Sequence, residues 1–278
     1  MAKEERLTLD VAISTFRPEG IERVVNMLKD LPEKEEVKYI VSWQEHQDST
    51  IPSSLSERSD VEIYRYDKKG LSNNRNNAMG HCKGDIVLIA DDDLEYYPDF
   101  ADKVLEPFRK DQGIDLATFK FDFLHKKHYP QESCLLRFPY PKNYFCSSIE
   151  ISYRRETVGN LRFWPELGLG AEKMHCGEEE LFLASAIRRG LSCRFINDTI
   201  GKHSQASTGD KQSEEVLRAQ GFIIAIHYPW SFLPRLALKA RRITKSGNDS
   251  IIRAFKYLWQ GAIDAKLRFR KIPQCYRW

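Results

Sequence analysis

The run DIVLIADDDLEYYPDF (Asp85–Phe100) constrains this chain more than any other stretch: five apolar residues, Ile86 to Ala90, pass directly into three consecutive carboxylates, Asp91, Asp92 and Asp93. The apolar part reads as a buried strand. Its acidic end has two readings, a solvated charge run or a cation site. Around it, β-like and helix-like segments alternate. LTLDVAIST (7–15), VKYIVSWQ (37–44) and VEIYRY (61–66) read as strands, and IERVVNMLKDL (21–31) sets Ile21, Val24, Val25 and Leu28 at helical spacing. LSNNRNNAMGHC (71–82) reads as a helix opened by Ser72, Pro98 starts a further helix over 98–109, and DLATFKF (115–121) returns to strand. Strands alternating with helices predict βαβ units, hence an α/β fold with a mostly parallel central sheet flanked by helices. The second half is less regular: β-like SSIEISYRR (147–155), a loop containing WPELGLG (164–170), a helix in EEELFLASAIRRG (178–190) and a strand in SCRFIN (192–197).

From about Phe222 the pattern becomes helical, which predicts an α/β domain over 1–221 and a basic helical C-terminal region over 222–278. In SFLPRLALKARRI (231–243), Phe232, Leu233, Leu236, Ala240 and Ile243 share a face bordered by Arg235, Lys239 and Arg242. In SIIRAFKYLWQGAIDAKLRFRK (250–271), Ile251, Ile252, Phe255, Leu258, Trp259, Ala262 and Ile263 recur at helical spacing. These helices read either as amphipathic packing on the body or as a basic surface for anionic lipid, and the two are compatible. Charge supports the second reading. Residues 234–278 carry twelve Lys/Arg against two Asp/Glu, so a chain of net charge +3 has a body of −7 and a tail of +10.

With 41% hydrophobic and 30% charged residues the composition is globular rather than disordered. The small net charge gives no reason to expect nucleic-acid binding. The six cysteines, Cys275 among them, are scattered without a CxxC pair, as in reduced thiols. The N-terminus is charged and lacks the apolar core of a signal peptide, and GFIIAIHYPWSFLP (221–234) is too short and too interrupted to span a bilayer. The expected location is cytoplasmic, with peripheral placement on the inner face of the membrane through the C-terminal helices.

Ligands of open α/β sheets bind beyond the carboxyl ends of the strands, where the aspartates sit. Asp91 and Asp93, two apart, face the same way if the strand continues, and Mg²⁺ or Mn²⁺ takes one or two carboxylates with phosphates and water. Upstream, GLSNNRNNAMGHCKGD (70–85) opens a helix carrying Arg75, a setting that favours anionic groups. ISTFR (13–17) puts Ser14, Thr15 and Arg17 at the carboxyl edge of the first strand. HCGEEELFL (175–183) puts Glu178, Glu179 and Glu180 on the first turn of a helix, where favourable charge–dipole placement is the competing reading. GKHSQASTGD (201–210) carries His203, Ser207 and Thr208, with His203 either structural or a ligand.

Taken in this order, the motifs resemble inverting, family-2-type glycosyltransferases with the GT-A fold, over roughly Leu7–Asp210. The resemblance implies a nucleotide-sugar donor, a UDP-sugar first, a divalent metal (Mn²⁺ or Mg²⁺) at a D-x-D motif, and a carboxylate base at a G-E-D position. It implies Asp93 as metal ligand with His203 as a further metal or diphosphate ligand, Asp91 as a nucleotide contact and Asp92 as its assistant. Arg75 would touch the nucleotide base or phosphate with Thr15 nearby, and Ser14 and Arg17 share that edge. Glu179 stands at the base position, with an ordinary pKa of about 4.3 that leaves it ionised at neutral pH. Two departures matter. Trp43 and Gln44 stand where such enzymes often carry an Asp that reads uracil, leaving Gln44 to bond a base edge. The base is Glu rather than Asp, so Glu178 and Glu180 stay open as alternatives. The implied acceptor is a saccharide or lipid-linked saccharide of surface-glycan synthesis, and the loop 164–176 would close over donor and acceptor. Two other functions compete. A sugar-phosphate nucleotidyltransferase is disfavoured by the poor phosphate loop ISTFRPEG (13–20), and a non-catalytic nucleotide-sugar or glycan-binding module by the intact D-x-D and acidic helix start.

Overall fold

The structure, a computed structural model, describes residues 6–123, 127–141, 144–203, 213–245, 250–268 and 276; Ser207, Thr208 and Cys275 lie outside the described residues. The first half builds β1 (Leu9–Phe16), α1 (Pro18–Leu28), β2 (Val37–Gln44), the short α2 (Ser53–Ser56), β3 (Val61–Tyr66), α3 (Leu71–His81) and β4 (Ile86–Asp91). There follow β5 (Leu94–Tyr96), α4 (Phe100–Lys110), β6 (Leu116–Phe123), the two-residue β7 (Cys134–Leu135), β8 (Ile151–Arg154) and the short α5 (Arg155–Val158). The chain continues through α6 (Glu178–Arg188), β9 (Cys193–His203), α7 (Glu214–His227), α8 (Phe232–Lys245) and α9 (Ile251–Arg268).

Among the described residues the sheet runs β3-β2-β1-β4-β8-β6-β9-β5, with β7 added on β9. The four strands from β3 to β4 are parallel, β8 runs antiparallel to both β4 and β6, and β6 and β9 are parallel again. Alternate residues of a strand face opposite sides, and here they feed two cores. Leu9, Val11 and Ile13 of β1 and Ile86, Leu88 and Ala90 of β4 pack with α1 and α4, whereas Ala12, Val87 and Ile89 pack with α3, α6 and the C-terminal helices. Burial on both faces explains why β4 reads as an unbroken apolar run. Each buried valine, leucine or isoleucine among them stabilises the fold by about 1.5–3 kcal/mol.

Three element ends differ from the expectation, and each difference positions the site. Gly70, at φ 99°, precedes the first turn of α3, and Ser72 lies inside it with its hydroxyl donating to Leu167 O at 2.6 Å. Helix α4 begins at Phe100 rather than Pro98, because β5 holds the chain on β9 up to Tyr96 and Tyr97 N still donates to Ile200 O at 3.0 Å. Strand β9 outruns SCRFIN by following β6 through two register shifts, which carries His203 opposite both Phe123 and Leu94.

Helix α7 runs across the 221/222 join and lies antiparallel to α9. A Cβ on Gly221 would overlap the Leu258 carbonyl, and one on Gly261 would overlap the Arg218 carbonyl. This reciprocal pair of glycines lets the two helix backbones touch. No helix among the described residues is long and apolar enough to cross a membrane.

Candidate active site

The three aspartates at the end of β4 are held from three different sides. Asp91, the last residue of the strand, accepts from Arg75 Nη2 through both oxygens, at 3.0 and 3.1 Å. Asp92 is buried; Arg23 Nε and Nη2 grip its oxygens at 2.9 and 3.0 Å, and the Thr15 hydroxyl donates to Oδ2. Burial keeps the Asp92 pKa above the ordinary carboxylate value even against the pull of Arg23 and Thr15. Asp93 meets His203, with Nε2 3.4 Å from Oδ1. Because β4 stops at Asp91 and the next two residues turn, the strand alternation expected to align Asp91 with Asp93 does not apply; Arg75 and His203 hold them from separate elements.

Arg23 and Gly20 were not singled out in the sequence. Gly20 is required because a Cβ there would overlap the Thr15 hydroxyl and stand 2.9 Å from Asp92 Oδ2. Three apart, they share one face of α1, but nothing local in the sequence ties that face to Asp92.

His203 Nδ1 is buried and makes no hydrogen bond among the described residues, and Asp93 Oδ1, also buried, has the 3.4 Å approach of His203 Nε2 but no hydrogen bond there. Leaving such an atom unpaired costs about 1–3 kcal/mol, so the pair is suited to an added ligand. The Asp93 carboxylate also raises the imidazole pKa above its ordinary value. No cluster of three or more His, Cys, Asp or Glu side chains suited to a metal occurs among the described residues. A carboxylate and an imidazole nevertheless fit a cation whose remaining ligands are diphosphate oxygens and water.

Helix α3 packs across β1 and β2 and serves as the frame of the site. Its asparagines are stitches: Asn74 donates to Thr15 O at 2.8 Å, Asn77 to Ser42 Oγ at 2.8 Å, and Asn76 both donates to Phe163 O and accepts from Phe163 N. Arg75 is only 3% exposed; besides Asp91 it donates from Nη1 to Glu178 Oε1 at 2.8 Å, and its guanidinium lies over the Phe163 ring. It therefore acts as a strut between β4 and α6.

The loop before α6 is docked on the same helix. Leu71 N donates to Leu169 O at 2.8 Å, and a Cβ on Gly170 would stand 3.1 Å from Gly70 Cα. Gly168 and Gly170 both have positive φ, at 96° and 77°, as this close passage requires.

The structure separates the three glutamates of α6. Glu178 is buried against Arg75, Glu180 pairs with His227 Nε2 at 3.4 Å, and Glu179 makes no ion pair among the described residues. Burial, followed by the neighbouring Glu178 charge, pushes the Glu179 pKa well above the ordinary value. The expectation of a base with an unshifted pKa is corrected accordingly.

Of the remaining candidates, Ser14 lies in register with Asp91 and Ser42, buried with an unpartnered hydroxyl. Arg17, at φ 65° before α1, is exposed near Glu45. Gln44 is buried, and its amide nitrogen donates to Lys68 O and, at 3.2 Å, to Gly70 O. Its donor thus holds the turn into α3.

Residues 11–161 match the family described as Glycosyl transferase family 2. Among solved structures, S. aureus TarS 1-349 in complex with UDP superimposes with a TM-score of 0.59 at 16% identity, over 95% of this chain and 92% of that one. The same protein in complex with UDP-GlcNAc gives 0.57 at 15% over the same shares, and a mycobacterial protein gives 0.53 at 16% over 77% of this chain and 73% of that one. No curated protein matches the chain. At these identities the likeness is one of fold, and the fold is the expected GT-A arrangement of a central sheet flanked by helices.

Proposed function

The chain belongs to glycosyl transferase family 2, and from that membership we propose that it is a metal-dependent, inverting, hexosyltransferase-like enzyme that moves a sugar from a nucleotide-sugar to a hydroxyl of a saccharide or lipid-linked saccharide. One observation carries the proposal. Arg75 hydrogen-bonds at once to Asp91 of the D-x-D segment and to Glu178, the immediate neighbour of Glu179. The residues suited to a donor and the residue suited to a base therefore share one frame. The TarS complexes with UDP and UDP-GlcNAc favour a UDP-sugar as the first donor to test.

In this reading Asp91, oriented by Arg75, contacts the nucleotide, with Ser14 and Arg17 along the same edge. Asp92 keeps the β1 and β4 ends together through Thr15 and Arg23. Asp93 and His203 hold Mn²⁺ or Mg²⁺, which when bound offsets charge on the departing nucleoside diphosphate. Glu179 accepts the proton of the acceptor hydroxyl as that oxygen attacks the anomeric carbon and the nucleoside diphosphate leaves from the opposite face, which inverts the configuration. Its raised pKa makes the carboxylate a stronger base than an ordinary glutamate, the direction that favours proton acceptance. A lipid-linked acceptor of surface-glycan synthesis would be met at a bilayer surface.

The deciding experiment incubates the protein with a panel of nucleotide-sugars and Mn²⁺ or Mg²⁺ and follows release of the nucleoside diphosphate. Turnover of one donor, abolished by chelation, supports the proposal. Pyrophosphate production from a nucleoside triphosphate and a sugar 1-phosphate would replace it with a nucleotidyltransferase, and donor binding without turnover would leave a binding module.

A further inference from the structure

Helix α9 carries two apolar faces: one packs on α7, and the other meets Phe232 at Trp259 but leaves Ile252 and Leu267 open. Ala254, Leu258, Gly261, Ala262 and Ala265 are buried, lining the side that meets α7. At 100° per residue, Ile252, Trp259, Ile263 and Leu267 fall on the opposite side, and Lys256 and Lys266 fall among them. The sequence pattern merges the two faces into one. In the structure Ile252 is 80% exposed and Leu267 78% exposed.

The turn into α8 extends this second face. Lys266 Nζ donates to Pro229 O at 3.0 Å and lies over the Phe232 ring, which in turn stacks on Trp259. Trp230, between Pro229 and Phe232, is 99% exposed. On α8 the buried residues are Leu236, Ala240 and Ile243, and the side away from them presents Leu238 with Arg241, Arg242 and Lys245, all exposed. Among the described residues Asp264 is the sole acid on these two helices, and it lies off the exposed apolar stripe.

We propose that this face, the Trp230 turn with the outer sides of α8 and α9, docks on the surface of an anionic lipid bilayer. The commitment to lipid rests on charge complementarity. Among the described residues the face combines large apolar side chains and indoles with cations and has no acid on its exposed stripe. An interface between two copies would set this one-signed charge against itself. Tryptophan sits well at the headgroup level and lysine snorkels from the acyl boundary. Each cation near an anionic leaflet strengthens binding roughly fivefold. Binding of this kind lies in the plane of the membrane and spans nothing. The proposal does not depend on the transferase reading, although a lipid-linked acceptor would give it a purpose.

The test sediments the full chain with vesicles of phosphatidylcholine alone and with phosphatidylglycerol added. Wild type is expected to pellet with the anionic vesicles only, and less as salt is raised. A triple variant, Trp230→Ser, Ile252→Ser and Leu267→Ser, changes only exposed side chains, so its melting temperature should match wild type while its partitioning falls at least about tenfold. Arg241→Glu with Arg242→Glu should weaken anionic-vesicle binding by a similar factor. Failure of wild type to bind anionic vesicles, or unchanged binding by the folded triple variant, would overturn the proposal. So would a concentration-dependent dimer of wild type that the triple variant abolishes while neither binds vesicles; that outcome makes the face a self-interface. Donor hydrolysis in solution is followed in parallel and should be the same in both proteins. Its absence in wild type counts against the transferase alone.

Discussion

Arg75 Nη1 donates to Glu178 Oε1 at 2.8 Å, joining helices whose contact residues lie 103 positions apart in sequence. The same guanidinium holds Asp91, so one buried cation balances two carboxylates on two elements. Removing it strands both. Arg75→Met is expected to destabilise the protein by about 3–5 kcal/mol, the usual consequence of deleting one partner of a buried ion pair. A urea titration reads this directly, and an unchanged midpoint would show that the strut carries no load. Arg75→Lys restores the charge but not the forked geometry, and should recover only part of the loss.

The glutamates of α6 should separate in kinetics as they do in structure. Glu179→Gln should bind the donor nucleotide as wild type does and lose about 10²–10⁴-fold in transfer, the usual worth of a positioned general base. Glu180→Gln removes the pairing with His227 and a charge near Lys239, neither of which reaches Glu179's role, and should keep most of the rate. Near-normal transfer by Glu179→Gln would move the base to another group. Nucleotide affinity from calorimetry, measured beside the rate, tells lost chemistry from lost folding.

How much of this was legible in the sequence depended on whether a pattern had a single cause. The run Ile86–Ala90 has one, burial on both faces of a central strand, and the strand came out where it was expected. The acidic end identified the place but not the division of labour. Arg23 and Thr15 reach Asp92 from 69 and 77 residues away, and no local spacing encodes such a partner. Arg75 shows the same limit, since its partners Asp91 and Glu178 lie 16 and 103 residues away. An arginine at a helix start is attractive to anions, and here the anions are the protein's own. The α3 asparagines Asn74, Asn76 and Asn77 bond to Thr15 O, Phe163 O and Ser42 Oγ, partners that no local spacing encodes either. In α9 a small-residue face and a large-residue face overlapped in one periodic signal, and only Gly221 and Gly261 mark which one meets α7.

Metal dependence gives a third prediction. If Asp93 and His203 hold the cation, Asp93→Ala should abolish metal-stimulated turnover, and His203→Ala should raise the Mn²⁺ concentration needed for half-activity by about tenfold or more, as loss of a supporting group does at metal sites. Titration of activity with Mn²⁺ after chelation measures both. An unchanged Mn²⁺ requirement in both variants would place the metal elsewhere.

Backbone contact between α7 and α9 gives a fourth. Gly221→Ala and Gly261→Ala each insert a methyl group where the partner helix's carbonyl already lies, so each should cost about 1–3 kcal/mol, the range for overpacking a close contact. Gly80→Ala is the control. It sits in α3 with nothing near its would-be Cβ, and alanine there should be neutral or stabilising by about 0.5–1 kcal/mol.

The raised pKa of Glu179 gives the last prediction, in which activity and stability move in opposite directions. Burial and the Glu178 charge favour the protonated form in the folded state. The stabilising contribution of that proton is fully present below the unfolded value of about 4.3 and is lost as pH rises through the folded pKa. The reactive form is the carboxylate, so kcat/KM should fall as pH drops through the same raised pKa, with an acid limb well above that of an ordinary glutamate. Glu178→Gln removes the neighbouring charge and should move the limb to lower pH. Glutamine at 179 never has to ionise, so Glu179→Gln should match wild type in melting temperature at acid pH and exceed it increasingly as pH rises. A difference in melting temperature that stays constant across pH would show that Glu179 titrates alike in the folded and unfolded chain. In that case the acid limb would belong to another group.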